Sequence, residues 1–271
     1  MNYRIIALDV DGTLLNDEHE VTDKTVETLR TAHEAGARIV LCTGRGPVNA
    51  IPVLERLGLT GVLITHNGAA TVETPGPKLL HQSGFEVREL AELVRYCREQ
   101  NIHFDVNTAL DMFVEKVGER EAAMYEKFMV SPERVEDVLS MNVPLVKFTM
   151  FGSEEEMDAV ERDLARVSLP PSVHALRSGA HFIDVLSKEV SKGRALQALA
   201  AQWDIAPGNI VAMGNYYNDM DMIRFAGLGI AMDNSPDAVK EAADAVTLSN
   251  NDDGVHEALR RFVLPTGEPR A

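Results

Sequence analysis

The chain has 271 residues, 45% of them hydrophobic, and a formal net charge of −16. That length suffices for one large domain or two modest ones. So acidic a composition speaks against nucleic acid or an anionic membrane as partner, since both attract basic surfaces; it leaves room for a small anion met by a local cation and a few basic side chains.

The two cysteines, Cys42 and Cys97, form no CxxC pair and no disulfide framework. Cys42 lies in the apolar run Ile39–Cys42 and reads as a small buried hydrophobe. The apolar run Ile5–Leu8 is too short for a signal segment or a spanning helix, and Asp9 follows at once. The expected location is cytoplasmic.

In chain order, the first third alternates strand and helix. Residues 3–10 read as a buried strand. Thr22 caps a helix with Val26, Leu29 and Ala32 at helical spacing, and Gly36 ends it. Residues 38–42 form a second strand, 47–57 a helix closed by Gly58, and 62–65 a third strand. Strands separated by helices imply βαβ units and a parallel sheet.

From residue 86 the pattern changes. A helix over 86–100 precedes strands at 102–106 and 112–115. Helices follow at 121–129 and 132–141, then a strand at 145–151. Ser153 with Glu156 marks a capping box, and 173–177 with 181–186 form a hairpin. From Lys192 the βαβ rhythm returns, with helices at 195–203, 220–226 and 255–262, and strands at 210–213, 228–231 and 245–248. Ser235 and Pro236 suit the N-cap and first turn of a helix through Ala243. The tail Pro265–Pro269 is expected to fray. The simplest organisation is an α/β domain made from both ends, interrupted by an α+β module of about 100 residues.

Four segments at strand ends or helix starts carry chemistry. Asp9-Val10-Asp11-Gly12-Thr13 follows the first strand, where residues i and i+2 face one side. Two crowded carboxylates favour a cation or a shared proton. An EF-hand loop starting at Asp11 is excluded, because its position 12 is Thr22 and not the required glutamate. Thr43-Gly44-Arg45 offers a hydroxyl, an open backbone and a guanidinium suited to phosphate; by itself it is also an ordinary β-to-α turn. Lys192 stands at a helix start, where it can reach a phosphate or simply be solvated. Gly214-Asn215-Tyr216-Tyr217-Asn218-Asp219 is an oxygen-rich cluster suited to magnesium, or an Asx-rich helix cap.

In this order the four segments resemble the haloacid dehalogenase superfamily and, within it, the Cof-type phosphatases with their DxDGT, threonine, lysine and GDxxND motifs. "THNGA" at Thr65–Ala69, "SKGRAL" at Ser191–Leu196, "GIAMDNS" at Gly229–Ser235 and "SNNDDGV" at Ser249–Val255 look like the same group. The resemblance implies a Rossmann-like parallel-sheet core over 1–83 and 188–271, with an inserted α/β cap over 84–187 that selects the substrate. It implies a phosphatase in which Asp9 is the nucleophile, Asp11 the general acid and base, and Thr43 and Lys192 the holders of the transferring phosphoryl group. Val10, Gly12, Gly44, Arg45, Asn67, Gly68, Asn218 and Asn234 would lie around the phosphate. Mg2+ would be bound by Asp9, the Asp11 backbone carbonyl, Asn215 and Asp219.

One position departs from the pattern. Asn215 stands where the family has aspartate, and its carboxamide oxygen can coordinate but brings no charge. His103, Arg177 and His181 are candidate contacts in the cap. A sugar phosphate, flavin mononucleotide or its precursor, or pyridoxal phosphate all suit the site, while oligomeric state is not legible. A phosphomutase and a phosphometabolite-binding protein without turnover are the alternatives.

Overall fold

The computed structural model describes residues 2–127 and 130–264. The end of the helix expected at 121–129 and the tail Pro265–Pro269 lie outside the described residues. The chain divides into two compact units, one from residues up to Leu80 and from Ser191 onward, the other His81–Val190.

The first unit opens with β1 (Ile5–Leu8), α1 (Asp23–Glu34), β2 (Arg38–Cys42), α2 (Pro47–Arg56), β3 (Val62–Thr65), β4 (Ala70–Glu73) and β5 (Lys78–Gln82). All four β1 residues are fully buried, as expected of a parallel strand covered on both faces. Alternate residues enter different cores. Ile6, Leu8 and Leu41 join Leu29 of α1 and Leu54 of α2. Ile5, Ala7 and Val40 join Leu196 and Leu199 from the chain's later part. Thr22 caps α1 by accepting from the Thr25 N–H at 3.2 Å.

The second unit holds β6 (Phe85–Glu86), α3 (Ala91–Glu99), β7 (His103–Asn107), β8 (Met112–Val114), α4 (Glu119–Lys127), β9 (Glu133–Arg134), β10 (Pro144–Leu145), β11 (Lys147–Phe151), α5 (Glu154–Leu164), β12 (Val173–Gly179) and β13 (Phe182–Ser187). Its main sheet has the order β12-β13-β11-β7-β8-β9 and is antiparallel except for β8–β9. One face packs Phe104, Val106, Phe148, Met150, Ile183 and Val185 against α3 and α5. The alternate residues give a polar face that includes Asp105, Asn107, Thr149 and Asp184. The capping box forms, with Ser153 N–H donating to Glu156 Oε2 at 2.6 Å and Glu156 N–H to Ser153 Oγ at 3.2 Å.

Returning to the first unit, α6 (Lys192–Gln202), β14 (Ile210–Gly214), α7 (Met220–Phe225), β15 (Leu228–Ala231), α8 (Asp237–Ala242), β16 (Ala245–Val246) and α9 (Gly254–Ala258) complete it. The sheet order is β16-β15-β14-β1-β2-β3-β4-β5. Strands β16 to β3 are parallel, while β4 turns back antiparallel on β3. The α/β core with an inserted α+β module is therefore present. Connections leave β1 toward β2 on one side and return to β14 on the other. Ligands bind at such a reversal, outside the carboxyl ends of the strands.

Two expectations fail. Residues 132–141 are not a helix: Glu133–Arg134 pairs with β8, and only Val138–Ser140 makes a short turn of helix. Tertiary bonds outweigh propensity there, since Glu115 accepts from the Val138 N–H at 2.9 Å and Arg98 Nη2 bridges Glu115 and Asp137 at 2.5 Å each. Pro236, not Ser235, occupies the cap before α8. Strands β4 and β5 were not foreseen, because Ala70–Gln82 alternates too weakly to read as strand.

Candidate active site

Asp9 follows β1 and is held in register by its N–H donating to the Met213 carbonyl of β14 at 3.0 Å. Lys192 begins α6 just behind it. Its ammonium, 1% exposed, donates to Asp9 Oδ1 at 2.6 Å and to Asp219 Oδ1 at 2.7 Å. Burial raises the Asp9 pKa and Asp219 adds to it; Lys192 pulls the other way, leaving the carboxyl at about 7. Burial also disfavours the Lys192 ammonium, but the two carboxylates outweigh it and hold its pKa above the ordinary lysine value.

Asp219 is fully buried and spends both oxygens inside the protein. Oδ1 meets Lys192, and Oδ2 accepts from the N–H groups of Asn215 and Tyr216 at 2.9 and 3.0 Å. In this pairing Asp219 anchors Lys192 and the Asn215 loop. Gly214 permits this closeness, since a Cβ there would lie 2.4 Å from the Asp219 side chain.

The Asp11 carboxylate turns to Arg45. Arg45 Nε donates to Oδ2 at 2.9 Å and Nη2 to Oδ1 at 2.5 Å, a bidentate pair. Thr43 is fully buried at the end of β2, and its hydroxyl accepts from the Arg45 N–H at 3.0 Å. Asn67, in left-handed backbone at φ 57°, accepts at Oδ1 from Asn218 Nδ2 at 3.0 Å. At Gly68, with φ 101°, a Cβ would lie 2.3 Å from the Ser191 carbonyl, so glycine alone lets this turn pack against the start of α6. Gly44 faces Asn67, and Asn234 Nδ2 donates to the Gly12 carbonyl at 2.8 Å.

One terminal atom of the Asn215 carboxamide sits 3.0 Å from Asp9 Oδ2, 3.1 Å from the Asp11 carbonyl oxygen and 3.2 Å from Thr13 Oγ1. Magnesium binds six oxygens octahedrally at about 2.0–2.1 Å, which places neighbouring ligands about 2.9–3.0 Å apart. The carboxamide stands at about that separation from both the Asp9 oxygen and the Asp11 carbonyl, so these three groups suit a shared divalent cation. Among the described residues no group of three or more His, Cys, Asp and Glu could hold a metal. A carboxamide and a backbone carbonyl in place of carboxylates account for that.

The structure thus joins Asp9, Asp11, Gly12, Thr43, Arg45, Asn67, Gly68, Lys192, Asn215, Asn218, Asp219 and Asn234 through contacts within the first unit. Val10 differs, because its side chain belongs to the core and only its backbone is available. Thr13 and His19 were overlooked; His19 Nδ1 lies 3.9 Å from Asp11 Oδ1. Thr13 closes the Asp9–Thr13 motif, whereas no sequence signal points to His19. In the second unit, Arg177 is taken up by Asp158 at 3.1 Å and the Gly179 carbonyl at 2.7 Å. His181 meets the Gly152 carbonyl at 3.1 Å and His103 the Tyr125 hydroxyl at 2.7 Å.

A model of the haloacid dehalogenase-like hydrolases matches residues 6–259. The chain belongs to that family. It is similar to the 5-amino-6-(5-phospho-D-ribitylamino)uracil phosphatase YcsE of Bacillus subtilis, with 30% identity over 97% of each chain. It is also similar to the HMP-PP phosphatase of Escherichia coli, with 27% identity over 86% of this chain and 85% of the relative. Among solved structures, a haloacid dehalogenase-like hydrolase from Bacteroides thetaiotaomicron superposes with a TM-score of 0.86 and 27% identity, covering 96% of this chain and 99% of the other. Within the family this chain is a phosphatase-type member. No helix among the described residues is long and apolar enough to cross a membrane.

Proposed function

We propose that the protein hydrolyses a small phosphorylated metabolite in two steps through a phosphoryl group carried on Asp9. The observation that carries this reading is the Lys192 ammonium bridging Asp9 and Asp219 at the end of β1. In the first step the Asp9 carboxylate attacks phosphorus, the P–O bond to the leaving group breaks, and Asp11 gives the leaving-group oxygen a proton. In the second, Asp11 takes a proton from water as it attacks the acyl phosphate, and inorganic phosphate leaves. Lys192 and Thr43 steady the phosphoryl oxygens.

In the resting pairing both Asp11 oxygens accept from Arg45, so Asp11 must part from Arg45 before it can donate. An arriving phosphate is the natural competitor for that guanidinium. The groups that would hold magnesium are Asp9 Oδ2, the Asp11 carbonyl and the Asn215 carboxamide oxygen, with Asp219 behind them. When bound, the ion would offset charge on the phosphoryl oxygens.

Leaving-group selection belongs, in this reading, to the second unit, as the cap expectation had it. Its sheet carries the polar residues Asp105, Asn107, Thr149, Asp184 and Lys147, which are largely buried and bonded among themselves. The relatives named for a ribitylaminouracil phosphate and for HMP-PP keep small phosphorylated metabolites of that kind among the candidates. The test is phosphate release from a panel of phosphorylated metabolites with millimolar magnesium. Stoichiometric release from a few members is expected. Release from none, or transfer to another hydroxyl without free phosphate, would contradict the reading.

A further inference from the structure

Asn215 occupies a place where a cation's ligand and a hydrogen-bond donor look alike. Oxygens around magnesium stand about 3 Å apart, and an N–H···O bond also spans about 2.9–3.0 Å. The Asn215 carboxamide sits at that separation from Asp9 Oδ2 and the Asp11 carbonyl. With oxygen facing them, it can accept only from the Thr13 hydroxyl at 3.2 Å. With nitrogen facing them, its two N–H groups serve Asp9, the Asp11 carbonyl and Thr13. The two states differ by a turn about one side-chain bond.

The surroundings confine the motion to that turn. The Asn215 N–H is pinned by Asp219 Oδ2 at 2.9 Å. Gly12, at φ 77°, leaves the room, since a Cβ there would lie 2.4 Å from the outer end of the carboxamide. An aspartate at 215 would offer no donor and would set a further carboxylate 3.0 Å from Asp9 Oδ2. Such a pair needs a cation between them or a shared proton.

We propose that the Asn215 carboxamide is a built-in competitor of the divalent cation: its N–H groups stand in for the ion in the metal-free protein, and it turns its oxygen inward when the ion binds. This rests on the magnesium assignment made for the site. Metal-free protein is then fully organised, bare magnesium binds weakly, and substrate phosphate supplies the charge that tips the carboxamide over. An aspartate in the same place would make the folded site depend on the ion.

The test follows thermal unfolding of the full chain, native and Asn215→Asp, in chelator and across a magnesium series without substrate. In chelator the variant should melt below the native protein. Magnesium should raise the variant's Tm with a midpoint at least about tenfold lower than for the native chain. If the variant does not fold in chelator, nuclear magnetic resonance of the native protein decides. The Asn215 side-chain N–H protons should be protected from exchange in chelator and lose that protection at saturating magnesium. Equal midpoints with equal melting in chelator, or unprotected side-chain protons in chelator, would overturn the proposal while leaving the metal assignment standing. Indifference of both forms to magnesium, with native phosphate release unchanged by chelator, would remove the assignment and the proposal together.

Discussion

Lys192 is 1% exposed and is the one cation between two buried carboxylates, so its loss would leave both without their partner. Removing one partner from a buried ionic group typically costs about 3–5 kcal/mol. Lys192→Ala should therefore lose turnover and also melt markedly lower, as calorimetry would show. Asp9→Asn should leave Lys192 with Asp219 and keep the fold while losing turnover. Asp11 behaves differently, because its side chain is half exposed and its work is proton transfer. Asp11→Asn should slow alkyl phosphates by about 10²–10⁴-fold and aryl phosphates much less, since a phenolate leaves with little help. Equal losses on both substrates would move Asp11 out of the acid–base role. Most of these residues were readable because spacing on a strand fixes direction. The Lys192–Asp219 bond and the Arg45–Asp11 pair were not, because both join segments far apart in sequence.

At the scale of elements, the βαβ rhythm was legible because parallel strands must be apolar on both faces, as Ile5–Leu8 and Arg38–Cys42 are apart from Arg38. Capping chemistry was equally direct at Thr22 and Ser153. The second unit was harder. Residues 132–141 have helical propensity and still form a strand and a turn, because Glu115 and Arg98 bind their backbone and side chains from elsewhere. The polar face of that unit's sheet also yields a pH prediction. Burial, against the pull of Lys147 and Asn107, lifts the Asp105 carboxyl from the ordinary 3.8 to about 6. The folded state thus holds this proton more tightly than the unfolded chain. Its contribution favours folding below about pH 4 and is lost as pH rises through about 6, by about 3 kcal/mol at about 1.4 kcal/mol per pH unit. Asp105→Asn should remove that loss. The Tm difference between variant and native should grow in the variant's favour from pH 4 to pH 7, and a constant difference would count against the buried ionisation.

At the scale of the molecule, the core clusters divide as the units do. The largest cluster of the second unit draws only on residues within 85–185, and the two faces of the parallel sheet draw on the other unit. Replacing His81–Val190 with a short linker should leave a folded core that slowly hydrolyses a small aryl phosphate and has lost its preference among metabolites. A preference that survived would place selection in the core. The net charge of −16 fits this picture only if positive groups gather where phosphate arrives. Lys192 and Arg45 are the two that the first unit brings to that spot.

The central claim is that Asp9 becomes phosphorylated, and trapping that intermediate tests it most directly. The native protein, mixed with a turned-over substrate and quenched in acid within the first turnover, should carry one phosphoryl group per chain. Peptide mass mapping should place it on Asp9, and Asp9→Asn should carry none. A label on another residue, or full turnover by Asp9→Asn, would contradict the account.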